Sequence, residues 1–288
     1  MVAFLPSAEP PETVKDTILN IAGYRFVDLP DRDELREPFL ECCIRLELKG
    51  TVLLSPNGIN FFLAGIESRA REFIEFLESD IRFSGIPIKT SYTEYQPFRR
   101  MLVKRKREII SLGRREIKPS EFTGPHIKPS EFKQLLDERQ DILVLDTRNE
   151  YEVRIGSFEG AIDLGISSFR DFPRAVESLP EEYKSKQVVM YCTGGIRCEK
   201  ASAVMLNAGF SDVKQLEGGI LGYFEECGGS YWDGDCFVFD QRVAVDHNLS
   251  ETTIEMCFKC REPLSIEEQN SENYRIGEHC PYCFQDTS

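Results

Sequence analysis

Residues 192–197, CTGGIR, set two glycines between a cysteine and an arginine, a grouping suited to holding a sulfur anion. The run VVMY ahead of it is strand-like and CEKASAVMLNAG after it is helix-like. Cys192 is therefore expected at the carboxyl end of a strand and just before a helix N-terminus, where open α/β sheets bind their ligands. Thr193, Gly194, Gly195 and Ile196 span the loop to Arg197. The two glycines let successive N–H groups converge on one point, and the following helix adds its positive end. A thiol in such a cradle falls below its reference pKa of about 8.5 and is ionised enough at neutral pH to act as a nucleophile. Arg197 supplies either a charge behind that thiolate or a contact for an anionic substrate. An inert, packed Cys192 explains neither the strand-end position nor the glycines. Cys198 is open to two roles, resolving a persulfide as a disulfide or packing its helix, and packing is favoured.

A second grouping lies near the end of the chain. CFKC (Cys257, Cys260) and CPYC (Cys280, Cys283) are Cys-x-x-Cys pairs separated by nineteen residues. Each pair forms a knuckle with two thiolates, and two knuckles complete a tetrahedral site, for which zinc in a structural role is the expected ion. Iron in the same four-sulfur geometry and a pair of redox disulfides are the alternatives. His279 could stand in for a cysteine, although four thiols suffice. A closed four-sulfur site leaves no open coordination position, so no catalysis is assigned to it.

These groups need scaffolds, and the hydrophobic pattern supplies three. Residues 1–14 read as an N-terminal tail, and residues 15–98 alternate as βαββαβ, which favours a ferredoxin-like (acylphosphatase-like) α+β domain. Within it Asp31 or Asp33 is the expected cap of the first helix, and Asn57-Gly58 the hairpin turn between two apolar runs. Cys42 and Cys43 are assigned to packing, and nothing in this domain looks catalytic. Residues 99–126 form a basic strand and linker holding the first of two IKPSEF copies. The second copy opens a helix with Ser130 as its expected cap. Residues 127–228 show apolar strands alternating with helices, an α/β domain with a parallel sheet. Residues 229–288 have few apolar runs and need the cysteine site for stability.

The ten cysteines, in a chain with neither a secretory pattern nor a long apolar run, fit a reducing, cytoplasmic setting and no membrane. A net charge of −14 argues against a protein that coats nucleic acid generally. The sign reverses locally. Arg99, Arg100, Lys104, Arg105, Lys106, Arg107, Arg114, Arg115 and Lys118 face only Glu108 and Glu116 over residues 99–118, a local +7. Such a strip is either a solvated charged face or a dock for one polyanion.

Strand, six-residue Cys-to-Arg loop, helix and later Gly-Gly turn together resemble a rhodanese domain. LDTRNEYEV (145–153), IGSFEGAI (155–162) and LEGGI (216–220) resemble further segments of that family. The resemblance implies a persulfide on Cys192, and a loop one residue shorter than that of related phosphatases favours sulfur over phosphoester chemistry. Asp146 and Arg148 are expected to brace the strand-end loop as an ion pair rather than to act on substrate. CTGGIRCEKAS (192–202), KGTVLLSPNGIN (49–60) and CFVFDQRVAV (236–245) carry the resemblance further, to the rhodanese-domain tRNA uridine hydroxylases. That family implies oxygen-dependent conversion of a wobble uridine to 5-hydroxyuridine, with dioxygen as co-substrate and Cys192 required. The basic strip would then contact phosphates of the tRNA anticodon arm, with Tyr92, Tyr95 and Phe98 stacking on unpaired bases. His126, His247 and His279 form no recognisable two-His, one-carboxylate set, and no Gly-rich dinucleotide fingerprint occurs, so the electron source is not specified and a sulfur or electron donor protein is a further expected partner. A plain sulfurtransferase working through a Cys192 persulfide and a non-enzymatic sulfur- or RNA-binding adaptor are the rival readings.

Overall fold

The computed structural model describes residues 17–285, so the tail expected over 1–14 lies outside the described residues. The chain divides into two compact units, Met1–Phe122 and Thr123–Ser288.

The first unit runs β1 (Ile18–Phe26), α1 (Arg32–Arg45), β2 (Lys49–Ser55), β3 (Gly58–Ile66), α2 (Glu67–Glu78), β4 (Lys89–Thr93) and β5 (Met101–Arg105). Its sheet has the order β4-β1-β3-β2-β5, a ferredoxin-like sheet with one added strand. The alternating Val52 and Leu54, Ile59, Phe61 and Leu63, and Leu19 and Ile21 form one core with Phe39, Cys42 and Cys43 of α1 and Ala70, Phe73, Ile74 and Leu77 of α2. Phe73 bridges the layers edge-on to Phe39 and Phe61, at 6.2 and 5.7 Å.

Two local expectations differ in detail. The β2–β3 hairpin pairs Ser55 with Gly58, so its two loop residues are Pro56 and Asn57. Only Gly58 takes a positive φ (142°), because a Cβ there would fall 2.1 Å from the Arg25 carbonyl oxygen, and the fixed ring of Pro56 excludes a turn with positive φ at that position. Asp31 stands at the α1 cap position without capping through its side chain. Its carboxylate takes the Arg82 guanidinium instead, at 2.6 Å, while Arg82 also chelates Asp80 through Nη2 at 2.7 Å.

The strand expected within the basic strip is β5, and it pairs in parallel with β2 from Gly50↔Met101 to Leu54↔Arg105. Val103 is buried beneath it, so the sheet continues past residue 98.

The second unit runs β6 (His126–Ile127), α3 (Pro129–Asp137), β7 (Ile142–Asp146), α4 (Glu150–Val153), β8 (Gly156–Phe158), β9 (Ile162–Asp163), α5 (Phe172–Glu177), β10 (Gln187–Tyr191), α6 (Ile196–Asn207), β11 (Asp212–Leu216) and α7 (Gly219–Cys227). The five-stranded sheet β6-β11-β10-β7-β9 is parallel throughout. Val144, Val189 and Leu216 bury against Phe132, Phe158 and Tyr223, which meet edge to face at 4.8–5.9 Å. At α3 the cap is Lys128 rather than Ser130. Pro129 has no N–H to lose and a helical φ already set, so it takes the first helical position and moves Ser130 inside the helix. The first IKPSEF copy makes a single turn, with Phe122 N–H donating to the Lys118 carbonyl at 3.0 Å, before Thr123-Gly124-Pro125 ends it.

After α7 the chain makes β12 (Trp232–Gly234), paired with β8, and the small hairpin of β13 (Cys236–Phe237) and β14 (Ala244–Val245). The tail adds β15 (Glu255–Met256), β16 (Pro263–Leu264) and α8 (Ile266–Gln269). Among the described residues no helix is long and apolar enough to cross a membrane.

Candidate active site

β7 and β10 lie side by side with Asp146 opposite Tyr191, so their carboxyl ends deliver Thr147 and Cys192 to one place. The Thr147 N–H and Oγ1 both donate to the Tyr191 carbonyl oxygen, at 3.0 and 2.9 Å. The loop then curls back on its own sulfur. Gly195 adopts φ 96° as the cap of α6, and its N–H donates to Cys192 Sγ at 3.1 Å. Of the two loop glycines only Gly195 needs that conformation, since a Cβ on Gly194 would meet nothing within 4 Å.

The LEGGI turn closes on the same loop from behind. A Cβ on Gly219 would fall 2.3 Å from the Cys192 carbonyl oxygen, and its φ is 63°. The N–H groups of Ile220 and Leu221 donate to the carbonyls of Cys192 and Thr193, at 3.0 and 3.1 Å. With its carbonyls turned toward α7, the loop keeps N–H groups for the sulfur.

Cys192 is 1% exposed. Burial pushes its thiol up, but a hydrogen bond from the Cys198 thiol, the charge of Arg197 and the N–H groups of Arg197 and Cys198 outweigh burial and lower it from 9.0 to about 6. Cys198 moves the other way, pushed well up by burial and by its bond to Cys192. It stays protonated as the donor, with its Sγ also 3.6 Å from Thr147 Oγ1. Cys198 thus does more than pack its helix.

Arg197 is 4% exposed and fixed by the fully buried Glu152. Its Nη1 and Nη2 donate to Glu152 Oε2 and Oε1 at 2.6 and 2.8 Å. Burial opposes the Arg197 charge and Glu152 more than restores it, leaving its pKa raised. Sequence reasoning missed Glu152. Its one signal was the Asn149-x-x-Glu152 capping box of α4, whose Asn149 N–H reaches Oε2 at 3.1 Å.

Asp146 and Arg148 are both fully buried, with Arg148 Nη2 2.6 Å from Asp146 Oδ2 and Nε 3.0 Å from Oδ1. Arg148 Nη2 also donates to the Gly156 carbonyl at 2.6 Å, tying the loop after β7 to β8. The guanidinium also lies over the Tyr191 and Trp232 rings, 5.8 and 5.3 Å from their centres.

The segment after β12 also reaches the cysteine loop. Thr193 Oγ1 donates to the Phe237 carbonyl at 3.3 Å, and the Phe237 ring packs on Tyr151 at 5.3 Å. Cys236 beside it is buried, and burial pushes its thiol up to about 12.

Cys257, Cys260, Cys280 and Cys283 form a separate cluster whose sulfurs all lie within 4.8 Å of one another. The separations Cys260–Cys280, Cys280–Cys283 and Cys257–Cys283 are 3.5, 3.8 and 3.9 Å. A tetrahedron with metal–sulfur arms of about 2.3 Å has edges of about 3.8 Å. These distances fit a four-thiolate metal site and are far from a disulfide. The knuckles are fastened to the rest of the unit by Arg154, which lies over the Tyr282 ring at 4.1 Å and donates to Glu262 and the Pro263 carbonyl at 3.1 and 3.0 Å.

In the first unit Arg99, Arg100, Lys104, Arg105, Lys106, Arg107, Arg114 and Arg115 are all exposed. Arg105 makes a loose contact with Asp33, at 3.5 Å, and Arg114 with Glu116, at 3.9 Å. Tyr95 is exposed near them in sequence, while Tyr92 and Phe98 are half-buried.

The family model described as a UPF0176 acylphosphatase like domain matches residues 18–109, and the Rhodanese-like domain model matches residues 128–226. A curated protein of Cupriavidus necator named tRNA uridine(34) hydroxylase is 47% identical over 271 residues, covering 92% of this chain and 96% of its own length. The chain belongs to the tRNA uridine(34) hydroxylase family. Members of the same name from Ralstonia nicotianae and Acaryochloris marina are 45% and 44% identical, each over 92% of this chain and over 96% and 86% of their own. Membership in the tRNA uridine(34) hydroxylase family accounts for both halves of the architecture, an acylphosphatase-like unit and a rhodanese-like unit on one chain.

Proposed function

We propose that this chain hydroxylates the wobble uridine, position 34, of tRNA to 5-hydroxyuridine, with the Cys192 thiolate as its reactive group. The carrying observation is the 47% identity over 92% of the chain to a relative of that name. The lowered thiolate of Cys192 supports the chemical half of the reading.

Replacing the ring C5–H by C5–OH with dioxygen consumes two further electrons and releases water. Dioxygen is therefore the co-substrate, and a donor protein bringing electrons or sulfane sulfur is the further partner. Within this chain Arg197 and the loop N–H groups hold the sulfur anionic, Glu152 fixes Arg197, and Cys198 keeps its own proton and donates it to that sulfur as a hydrogen bond. Asp146 and Arg148 brace the loop without touching substrate. Thr193, Gly194 and Ile196 complete the cradle.

The exposed cations from Arg99 to Arg115 are assigned to phosphates of the anticodon arm, because an exposed cationic strip on an anionic chain favours one polyanion. The four cysteines are assigned zinc in a structural role. Cytoplasmic residence follows from a tRNA substrate. A second reading, sulfur transfer through a Cys192 persulfide, draws support from the rhodanese-like loop and predicts rapid thiosulfate-to-cyanide turnover.

Nucleoside mass spectrometry of tRNA from cells lacking the gene tests the main reading. Hydroxyuridine should vanish, return with the wild-type gene, and stay absent with Cys192→Ser. Full hydroxyuridine with Cys192→Ser would remove the thiolate from the reaction.

A further inference from the structure

Phe239 is the aromatic side chain that the site leaves unexplained. It is 51% exposed, although the strap that carries it is locked at every neighbouring point. The Val238 N–H donates to the Val243 carbonyl at 2.8 Å, and Arg242 chelates Asp240 through Nε at 2.9 Å and Nη2 at 2.6 Å. Phe237 meets the Phe239 ring edge-on at 5.1 Å, and Phe237 is itself buried against Tyr151. A ring held this firmly and still left open is a preformed surface rather than a frayed side chain.

Its position ties it to the reactive loop. The Phe237 carbonyl takes the Thr193 hydroxyl, one residue from Cys192, and the Arg197 guanidinium stands 6.0 Å from the Phe239 ring centre. Cys192 is nearly inaccessible, so an incoming base meets the surface around the sulfur before it meets the sulfur. A rigid aromatic face backed by a cation is what a flat, unpaired base stacks on. An isolated ring with Asp240 and Gln241 following it offers too little apolar area for a protein partner.

We propose that Phe239 is the stacking platform that receives the target nucleobase at the mouth of the Cys192 site. The proposal rests on the hydroxylase reading and names the residue that seats the base.

The test uses the full-length protein and two anticodon-arm RNAs, one with uridine at position 34 and one abasic there. Wild type should bind the uridine arm roughly five- to 150-fold more tightly, the range expected for one stacked base. Phe239→Ala should abolish that preference, and Phe239→Tyr should keep it. In complemented cells Phe239→Ala should lower hydroxyuridine and Phe239→Tyr should restore it. The thiolate titration of Cys192 should be the same in all three proteins. A retained preference in Phe239→Ala, an equal loss in Phe239→Tyr, equal binding of both arms by wild type, or a displaced Cys192 titration in Phe239→Ala would each overturn the platform. Failure of the wild-type gene to restore hydroxyuridine would instead overturn the hydroxylase reading.

Discussion

Removing the Cys198 thiol should raise the Cys192 pKa, and the size of the rise can be set in advance. Among the influences that lower Cys192, the hydrogen bond from Cys198 is the largest, ahead of the Arg197 charge and the loop N–H groups. A hydrogen bond to a charged group contributes about 1.5–3 kcal/mol, with a thiol donor at the weak end, and one pKa unit corresponds to about 1.4 kcal/mol. Cys198→Ala should therefore move Cys192 from about 6 upward by roughly one unit. At pH 7 the thiolate fraction would fall from about nine-tenths to about half. Cys198→Ser keeps a donor and should hold the midpoint close to wild type. The assay is ultraviolet thiolate absorbance against pH, with Cys192→Ser subtracted to remove the other cysteines. An unmoved midpoint in Cys198→Ala would refute the hydrogen-bond account, and equal shifts in Ala and Ser would point to packing. The same lowered pKa carries a stability slope. Because the folded Cys192 releases its proton before the unfolded one, stability should rise as pH goes from about 6 toward 9 and be lost as pH falls through 6, a trend that Cys192→Ser should flatten in denaturant titrations.

Glu152→Gln leaves Arg197 buried without its counter-ion and should cost about 3–5 kcal/mol, read as a lower denaturant midpoint; a loss under about 1 kcal/mol would mean that Arg197 finds another partner. With a metal in the proposed four-cysteine site, native mass spectrometry should record its mass on the wild type, and Cys280→Ser, or a chelator, should remove it and speed amide exchange across β15, β16 and α8 while β7 and β10 stay protected. Lys104→Glu with Arg105→Glu should weaken tRNA binding and make the slope of log K against log salt shallower by about 0.7–0.9 for each phosphate no longer neutralised; an unchanged slope would take those residues out of the interface.

What the sequence made legible was what lies close together along it. Cys192, Gly195 and Arg197 sit within six residues, and the strand and helix around them follow from short apolar runs. The four cysteines declare themselves by spacing alone. Glu152 does not, because its partner Arg197 is forty-five residues away and its capping signature accounts for it locally. Phe239 is equally silent, since Arg197 beside it, and Tyr151 under the Phe237 ring it meets, come from segments far back in the sequence. Ser130 reads as a cap in sequence because its side chain suits the role, whereas the ring of Pro129 decides where the helix begins. The basic strip shows a different kind of concealment. Its charges are plain in the sequence, but that Met101–Arg105 completes a sheet beside β2 depends on a pairing fifty residues distant.

Asp80 with Arg82, Asp146 with Arg148 and Asp240 with Arg242 share one design, in which the arginine N–H and guanidinium both return to a carboxylate two residues earlier. One is half-exposed, one is wholly enclosed and one supports the strap, yet the Asp-x-Arg pattern is the same, with Ile81, Thr147 and Gln241 in the middle. Such a unit brings its own counter-ion and is neutral as a whole, so it can be inherited as a cassette. Neighbouring segments can drift, lengthen or be exchanged between relatives without stranding a buried charge, provided the three residues travel together.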